Sequence, residues 1–156
     1  MFKKKRQPRE ADGKQVFDYA CWLLARRSYS TAELLKKFRT TFIPNEEIFE
    51  ATLQKLKKLN FQSDESFAQG FVEMHPDWGK RRLELELAKK GITKELIAEA
   101  LPAEEDEVAR CREALRVKLH GKEIPAEWKE KQKLLAFLAR RGFDLDVIQD
   151  SLEPKS

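Results

Sequence analysis

The side chains able to do bond-making chemistry are few in this chain of 156 residues, and they stand apart from one another. His75 and His120 are the only histidines. Neither belongs to a Cys, Asp or Glu set at metal-ligand spacing, and a zinc site needs about four converging ligands. Cys21 and Cys111 lie far apart among apolar residues, with no CxxC pattern, which predicts buried thiols in a reducing compartment and not a disulfide. Carboxylates cluster at Glu84-Leu85-Glu86 and Glu104-Glu105-Asp106-Glu107, but on segments rich in Lys and Arg they read as solvated helix faces. Ser30 and Ser63 sit where helix caps belong. No P-loop, GxGxxG or GxSxG occurs, so nucleotide hydrolysis and serine-hydrolase chemistry have no seat. The expectation is a protein that binds and does not catalyse, with no metal, no cofactor and no small-molecule substrate.

The elements that carry these residues are helices. About two residues in five are hydrophobic, more than a third are charged, and six Gly and six Pro are too few for an all-β sandwich. Apolar residues at Phe17, Ala20, Cys21 and Leu24 form a helical face ending near Arg27. Ser30-Thr31-Ala32-Glu33 fits a capping box, with Leu34, Leu35 and Phe38 turned inward behind it. Asn45 starts a third helix with the stripe Ile48, Phe49, Leu53 and Leu56. A second trio opens at Ser63-Asp64, breaks at His75-Pro76-Asp77-Trp78-Gly79, and ends after Thr93 caps a short helix to Leu101. Residues 82–87 alternate like a strand, yet they are helix formers without β-branching and read as helix. A third trio begins in the acidic run after Pro102, whose charges suit a helix N-terminus. Asp144 is placed to cap its last helix. No stretch approaches the roughly 20 apolar residues of a membrane span, and Asp18 interrupts the one run resembling a signal peptide. A cytoplasmic monomer is expected, with no membrane contact.

Internal repetition organises the chain. Shifted by 51 places, LELAKKGITKELIAEAL (85–101) overlies AFLARRGFDLDVIQDSL (136–152), with Leu87/Leu138, Ala88/Ala139, Gly91/Gly142, Ile97/Ile148 and Leu101/Leu152 identical. Residues 34–53 follow the plan more loosely. The fold class predicted is all-α: three tandem three-helix repeats forming an elongated, curved helical array, because one such unit cannot bury its apolar face alone. The repeats are placed at 14–62, 63–101 and 102–156, behind a flexible basic arm at 1–13. The net charge of +4 is contained in the first 15 residues, and the remainder is balanced.

Three segments also carry a family resemblance: LLARRSYSTAELLKKF (23–38), LKKLNFQSDESFAQGFV (56–72), and WGKRRLELELAKKGI with the helix after it (78–101). In content and order they resemble the RecX family of recombinase regulators, over nearly the whole chain. The resemblance implies an all-α fold of three three-helix repeats without catalytic chemistry. It also implies a partner, the RecA filament on single-stranded DNA, whose growth and recombinase and ATPase activity such proteins limit. Two departures stand out. Asn60 occupies a position where Gly is usual, and the third trio matches by pattern more than by identity.

Basic residues recur at corresponding helix ends and flank the turns. Lys89-Lys90 and Arg140-Arg141 correspond, with Lys36-Lys37 near the equivalent place in the first repeat. Arg26-Arg27 and Lys80-Arg81-Arg82 add to them. Stacked repeats would align these along one side as a ridge for partner or DNA, with Trp78, in its Pro/Asp/Gly loop, as an exposed anchor. Trp22 and Trp128 are expected to pack inside. An alternative function is direct, non-specific DNA binding by helix-turn-helix-like repeats, with the arm residues Lys3, Lys4, Lys5 and Arg6 adding weak, salt-sensitive contacts. The balanced charge of the body counts against it, since phosphate-driven binders carry a basic excess on the folded part.

Overall fold

A computed structural model describes residues 6–153. Lys3, Lys4 and Lys5 of the expected arm lie outside the described residues. The elements run α1 Gly13–Leu24, α2 Thr31–Thr41, α3 Glu46–Lys58, α4 Asp64–Met74, α5 Lys80–Lys89, α6 Lys94–Ala100, α7 Glu104–Lys118, α8 Trp128–Arg140 and α9 Leu145–Leu152. The all-helical expectation holds among the described residues, including α5, where the Leu-Glu alternation had a strand-like period. Two compact units divide them: one takes the chain to Phe67 together with Lys90–Ile92, the other Ala68–Lys89 and the chain from Thr93.

Local chemistry explains the helix starts of the first unit. The Ser30 hydroxyl accepts from Glu33 N–H and the Glu33 carboxylate accepts from Ser30 N–H, closing the predicted capping box. Asp12 and Gln15 form a second one at α1, and Asn45 caps α3. Each such cap is worth about 1 kcal/mol. Burial of the Glu33 carboxyl opposes its charge, but the Ser30 N–H, Arg27 and Lys90 outweigh that and hold it below the usual range. α1, α2 and α3 close on Val16, Ala20, Leu34, Phe38, Phe49 and Leu56, with the Phe38 and Phe49 rings 5.6 Å apart. Asn60 adopts the left-handed conformation (φ 61°) that makes it an adequate stand-in for Gly.

Polarity misled at the chain's start. Arg9 N–H donates to Thr41 O and Arg9 O accepts from Ile43 N–H, a parallel bridge that ties Arg9 to the end of α2. Arg9 and Asp12, both placed in the expected arm, are thus held by backbone hydrogen bonds and a helix cap, without any apolar pattern to announce them. Arg9→Pro, which deletes the N–H donor, should lower the melting temperature of the first unit by a few degrees, for a cost of about 1 kcal/mol. Calorimetry would read it.

In the second unit α7, α8 and α9 enclose Cys111, Leu115, Leu134, Leu138, Phe143 and Ile148. Leu138, fully buried, should cost about 3 kcal/mol when cut to alanine, measurable by urea unfolding. Burial pushes the Cys111 thiol up; Cys21, only half-buried, is shifted the same way by burial and by the nearby Asp18. Both thiols are free, though the expectation that both are buried holds only for Cys111. No described helix is long and apolar enough to cross a membrane.

Candidate partner-binding surface

The basic pairs at the repeat ends turn out to divide their labour. In the first unit the Lys90 carbonyl accepts from the Ser30 hydroxyl at 2.6 Å, at the N-terminus of α2. Gly91, at φ 79°, lies so close that an added Cβ would sit 2.4 Å from the Ala32 methyl. In the second unit the Arg141 carbonyl accepts from Gly79 N–H at 2.7 Å and the Gly142 carbonyl from Arg81 N–H at 3.1 Å, at the N-terminus of α5. Gly142, at φ 95°, would bring a Cβ within 2.4 Å of Arg82 N. One rule covers both: a basic–basic–Gly turn docks at the N-terminus of an upstream helix, its carbonyls accepting from the capping Ser30 hydroxyl in the first unit and from open backbone N–H groups in the second.

The second basic residue of each pair also uses its side chain in this dock. Lys90 lies 3.7 Å from Glu33, and Arg141 donates to Asp77 at 2.9 Å with its guanidinium 5.0 Å from the Phe137 ring. The first residue points away: Lys89 reaches only the Glu86 carboxylate on its own helix, at 3.4 Å, and Arg140 is exposed with no ion pair among the described residues. Recurrence of the pairs thus has a structural cause in one half of each pair and leaves the other half available.

The other predicted residues sort the same way. Lys36 and Lys37 are exposed on α2 and make no side-chain ion pair among the described residues. Arg26 is exposed and lies 4.0 Å from the Trp22 ring centroid. Arg27 is held by Glu33 (3.2 Å), by Ser28 O and against the Tyr29 ring. Arg81 pairs with Asp144 at 2.6 Å, so Asp144 stands at the N-cap of α9 but spends its carboxylate on Arg81 and forms no cap bond. Arg82 covers the Trp78 ring at 3.8 Å. Lys80 is half-buried, and its N–H is taken by Glu107.

The tryptophan expectations reverse. Trp78 is half-buried, stacked on His75 with centroids 3.7 Å apart and edge-on to Phe71. Trp22 and Trp128, expected inside, are 52% and 72% exposed. Trp22 shares α1 with an inner face already filled by Val16, Ala20 and Leu23, and Trp128 is the first residue of α8, nearly two turns ahead of the buried Leu134 and Leu138.

The largest surprise is Glu107, placed by its acidic run on a solvated face and found 5% exposed. Its Oε2 accepts from Lys80 N–H at 3.2 Å, capping α5 from another helix. Its Oε1 lies 3.8 Å from Arg110 Nε, and neither atom has a hydrogen bond. Arg110 meanwhile donates to the carbonyls of His75 and Trp78 at 2.9 and 3.0 Å, closing the loop before α5. Burial pushes the Glu107 carboxyl up, against the pull of the Lys80 N–H and Arg110. One signal was legible: position 107 lies four residues before Cys111, on the inner face of α7.

At the N-terminus of α5 the N–H groups of Gly79, Lys80 and Arg81 are bonded to Arg141 O, Glu107 and Gly142 O, so these three are not available to a phosphate. Among the described residues no cluster of three His, Cys, Asp or Glu is arranged to hold a metal ion. The arrangement offers charged and aromatic contact surface.

Comparison with known proteins agrees with this architecture. Residues 63–101 match the family model described as RecX, second three-helix domain, and residues 104–152 the one described as RecX, third three-helix domain. The chain is 38% identical over 143 residues to a protein named Regulatory protein RecX from Chromobacterium violaceum, covering 91% of both. A protein of the same name from Chlorobium phaeobacteroides is 36% identical over 148 residues, covering 92% of this chain and 95% of its own. Among solved structures, RecX from Lactobacillus salivarius superposes with a TM-score of 0.74 over 90% of this chain and 94% of that one, at 22% identity, a likeness of fold. These relatives are named as regulators and not as enzymes. An all-helical repeat protein so similar along nearly its whole length to regulators of one name belongs with them: this chain is a member of the RecX family of regulatory proteins.

Proposed function

We propose that this protein is a non-catalytic regulator that binds the RecA filament on single-stranded DNA and inhibits its growth and its recombinase and ATPase activity. The observation that carries the reading is the similarity to Regulatory protein RecX over nine-tenths of the chain. The distribution of its charges supports it. Arg27, Arg81, Arg82, Lys90 and Arg141 are engaged within the fold, and the exposed candidates without an ion pair among the described residues, Arg26, Lys36, Lys37 and Arg140, with Lys89 tied only to its own helix, are too few to drive affinity through phosphate neutralisation alone. Mixed charge suits a protein surface offering both signs, with nucleic acid touched at few points. Several weak contacts would reinforce one another by raising effective concentration. The repeats at 14–62, 63–101 and 102–156 are the units that would make them, in a cytoplasmic monomer.

The test is the DNA-dependent ATPase of RecA, with and without this protein, at a salt concentration where the protein alone leaves DNA unbound. Inhibition well below one molecule per RecA is expected, because blocking growth needs few molecules. Absence of inhibition, together with tight, salt-dependent binding to bare DNA, would replace this reading with direct DNA binding. Reversing Lys36, Lys37 and Arg140 to Glu should raise the concentration for half-inhibition by about tenfold, for a few exposed charge contacts. Circular dichroism should be unchanged, since none of the three makes an ion pair among the described residues. Reversal of Lys80-Arg81-Arg82 is a poorer choice, because it breaks the Arg81–Asp144 pair and the Arg82–Trp78 contact.

A further inference from the structure

We infer that the groove between α1 and α3 is a separate docking surface, which takes an acidic amphipathic segment of a protein partner. The groove encloses about 290 Å³ and is lined by Lys14 and Phe17 from α1 and by Ile48, Ala51 and Lys55 from α3, with Gly13 at its end. None of these belongs to the basic candidates above, so the inference goes beyond the proposed function and does not depend on it.

Its floor is apolar. Phe17 and Ile48 are only partly buried against the core of the first unit, and Ala51 is exposed. Thr52 returns its hydroxyl to Ile48 O at 2.8 Å, so the floor offers no unspent donor. Phe61, 54% exposed with its centroid 6.4 Å from that of Phe17, extends the apolar surface beyond the groove. A pocket of this kind accepts Leu or Phe side chains from one face of a helix.

The rim is cationic, and no carboxylate lines it. Lys14 sits in the first turn of α1, ahead of Lys55 on α3, and the Asp12 carboxylate that caps this helix is spent on the Gln15 N–H and does not line the groove. Two lysines therefore face whatever enters, and the complementary occupant carries acids beside its apolar anchors. A nucleobase is a poor fit, because the Lys55 ammonium already covers the Phe17 ring at 4.2 Å, where a base would stack. A second copy fits poorly too, since a two-fold contact would bring these lysines against themselves.

The experiment uses the full chain and a fluorescein-labelled, Glu-rich peptide with leucines every third and fourth residue, read by fluorescence anisotropy. The control is a peptide of the same composition with the leucines scattered. Saturable binding is expected for the striped peptide. Reversal of both lysines (K14E with K55E) should weaken it about tenfold or more, and A51W, which fills the groove from an exposed helix position, should abolish it. Any of several results would overturn the inference: no saturable binding, equal binding of the scattered peptide, or unchanged binding by folded A51W or K14E/K55E. So would sedimentation showing a dimer that A51W dissolves, or a deficit of the lysine variant for oligo-dT and not for the peptide. Failure here leaves the ATPase result untouched, and the converse holds.

Discussion

Gly142→Ala should lower the stability of the second unit by about 3 kcal/mol or more. Two costs add. A residue other than Gly at φ 95° pays about 1–2 kcal/mol for a left-handed backbone. The new methyl would also lie 2.4 Å from both Arg82 N and Arg82 Cβ, forcing the α8–α9 turn off the start of α5 at an overpacking cost of about 1–3 kcal/mol. The Arg141–Gly79 and Gly142–Arg81 backbone hydrogen bonds would stretch with it. Urea unfolding monitored by circular dichroism checks the value. A loss under about 1 kcal/mol would mean that the turn relaxes freely and that the dock adds little.

Glu107→Ala is the second large effect, at about 3 kcal/mol. Removing one partner of a buried ion pair strands the other, here the Arg110 guanidinium, which keeps only its bonds to His75 O and Trp78 O. The start of α5 also loses the acceptor of Lys80 N–H. The raised Glu107 carboxyl sets the pH dependence, and its sign runs against the usual carboxylate. The folded state holds this proton more tightly than the unfolded chain does, so the associated stability is full below the ordinary value of 4.5 and is lost as pH rises through the raised one. Glu107→Gln keeps an acceptor but cannot titrate. Its stability deficit relative to the native chain should therefore be greatest in acid and should shrink as pH rises from 4.5. Paired unfolding curves across that range would show it, and a deficit that widened would place the folded carboxyl below its ordinary value. Arg110 reaches both carbonyls through one nitrogen, Nη2, so Arg110→Lys, whose ammonium carries three donors, should recover part of the stability lost in Arg110→Ala.

What the linear chain specified was mostly local. The Ser30–Glu33 capping box, the Asn45 and Thr93 caps, the left-handed Asn60 and the stops at Gly91 and Gly142 depend on groups within a few residues of one another, and each was legible from spacing. The 51-residue repeat was legible for a related reason: turns that dock alike need the same residues at the same offsets. Asp12-x-x-Gln15 had the form of a capping box as well, but a polar, Gly-containing stretch hid it.

The roles of the charges could not be read that way. Whether a lysine or arginine at a helix end is free or engaged depends on an acid tens of residues distant, as in Arg141 with Asp77 and Arg81 with Asp144. Glu107 lies among four consecutive acids; its spacing from Cys111 puts it on the inner face of α7, but its role as the acceptor of Lys80 N–H comes only from the approach of α5, while Glu104, Glu105 and Asp106 stay exposed. The tryptophans fail for a similar reason: a large apolar side chain is drawn inward only if the inner face has room, and at Trp22 that face was already filled. The order of residues thus determines the helices, their caps and the repeat, because hydrogen bonds within one turn decide them. Which cations and aromatics remain available to a partner is decided only by tertiary packing, because each side chain's partner comes from a distant part of the chain.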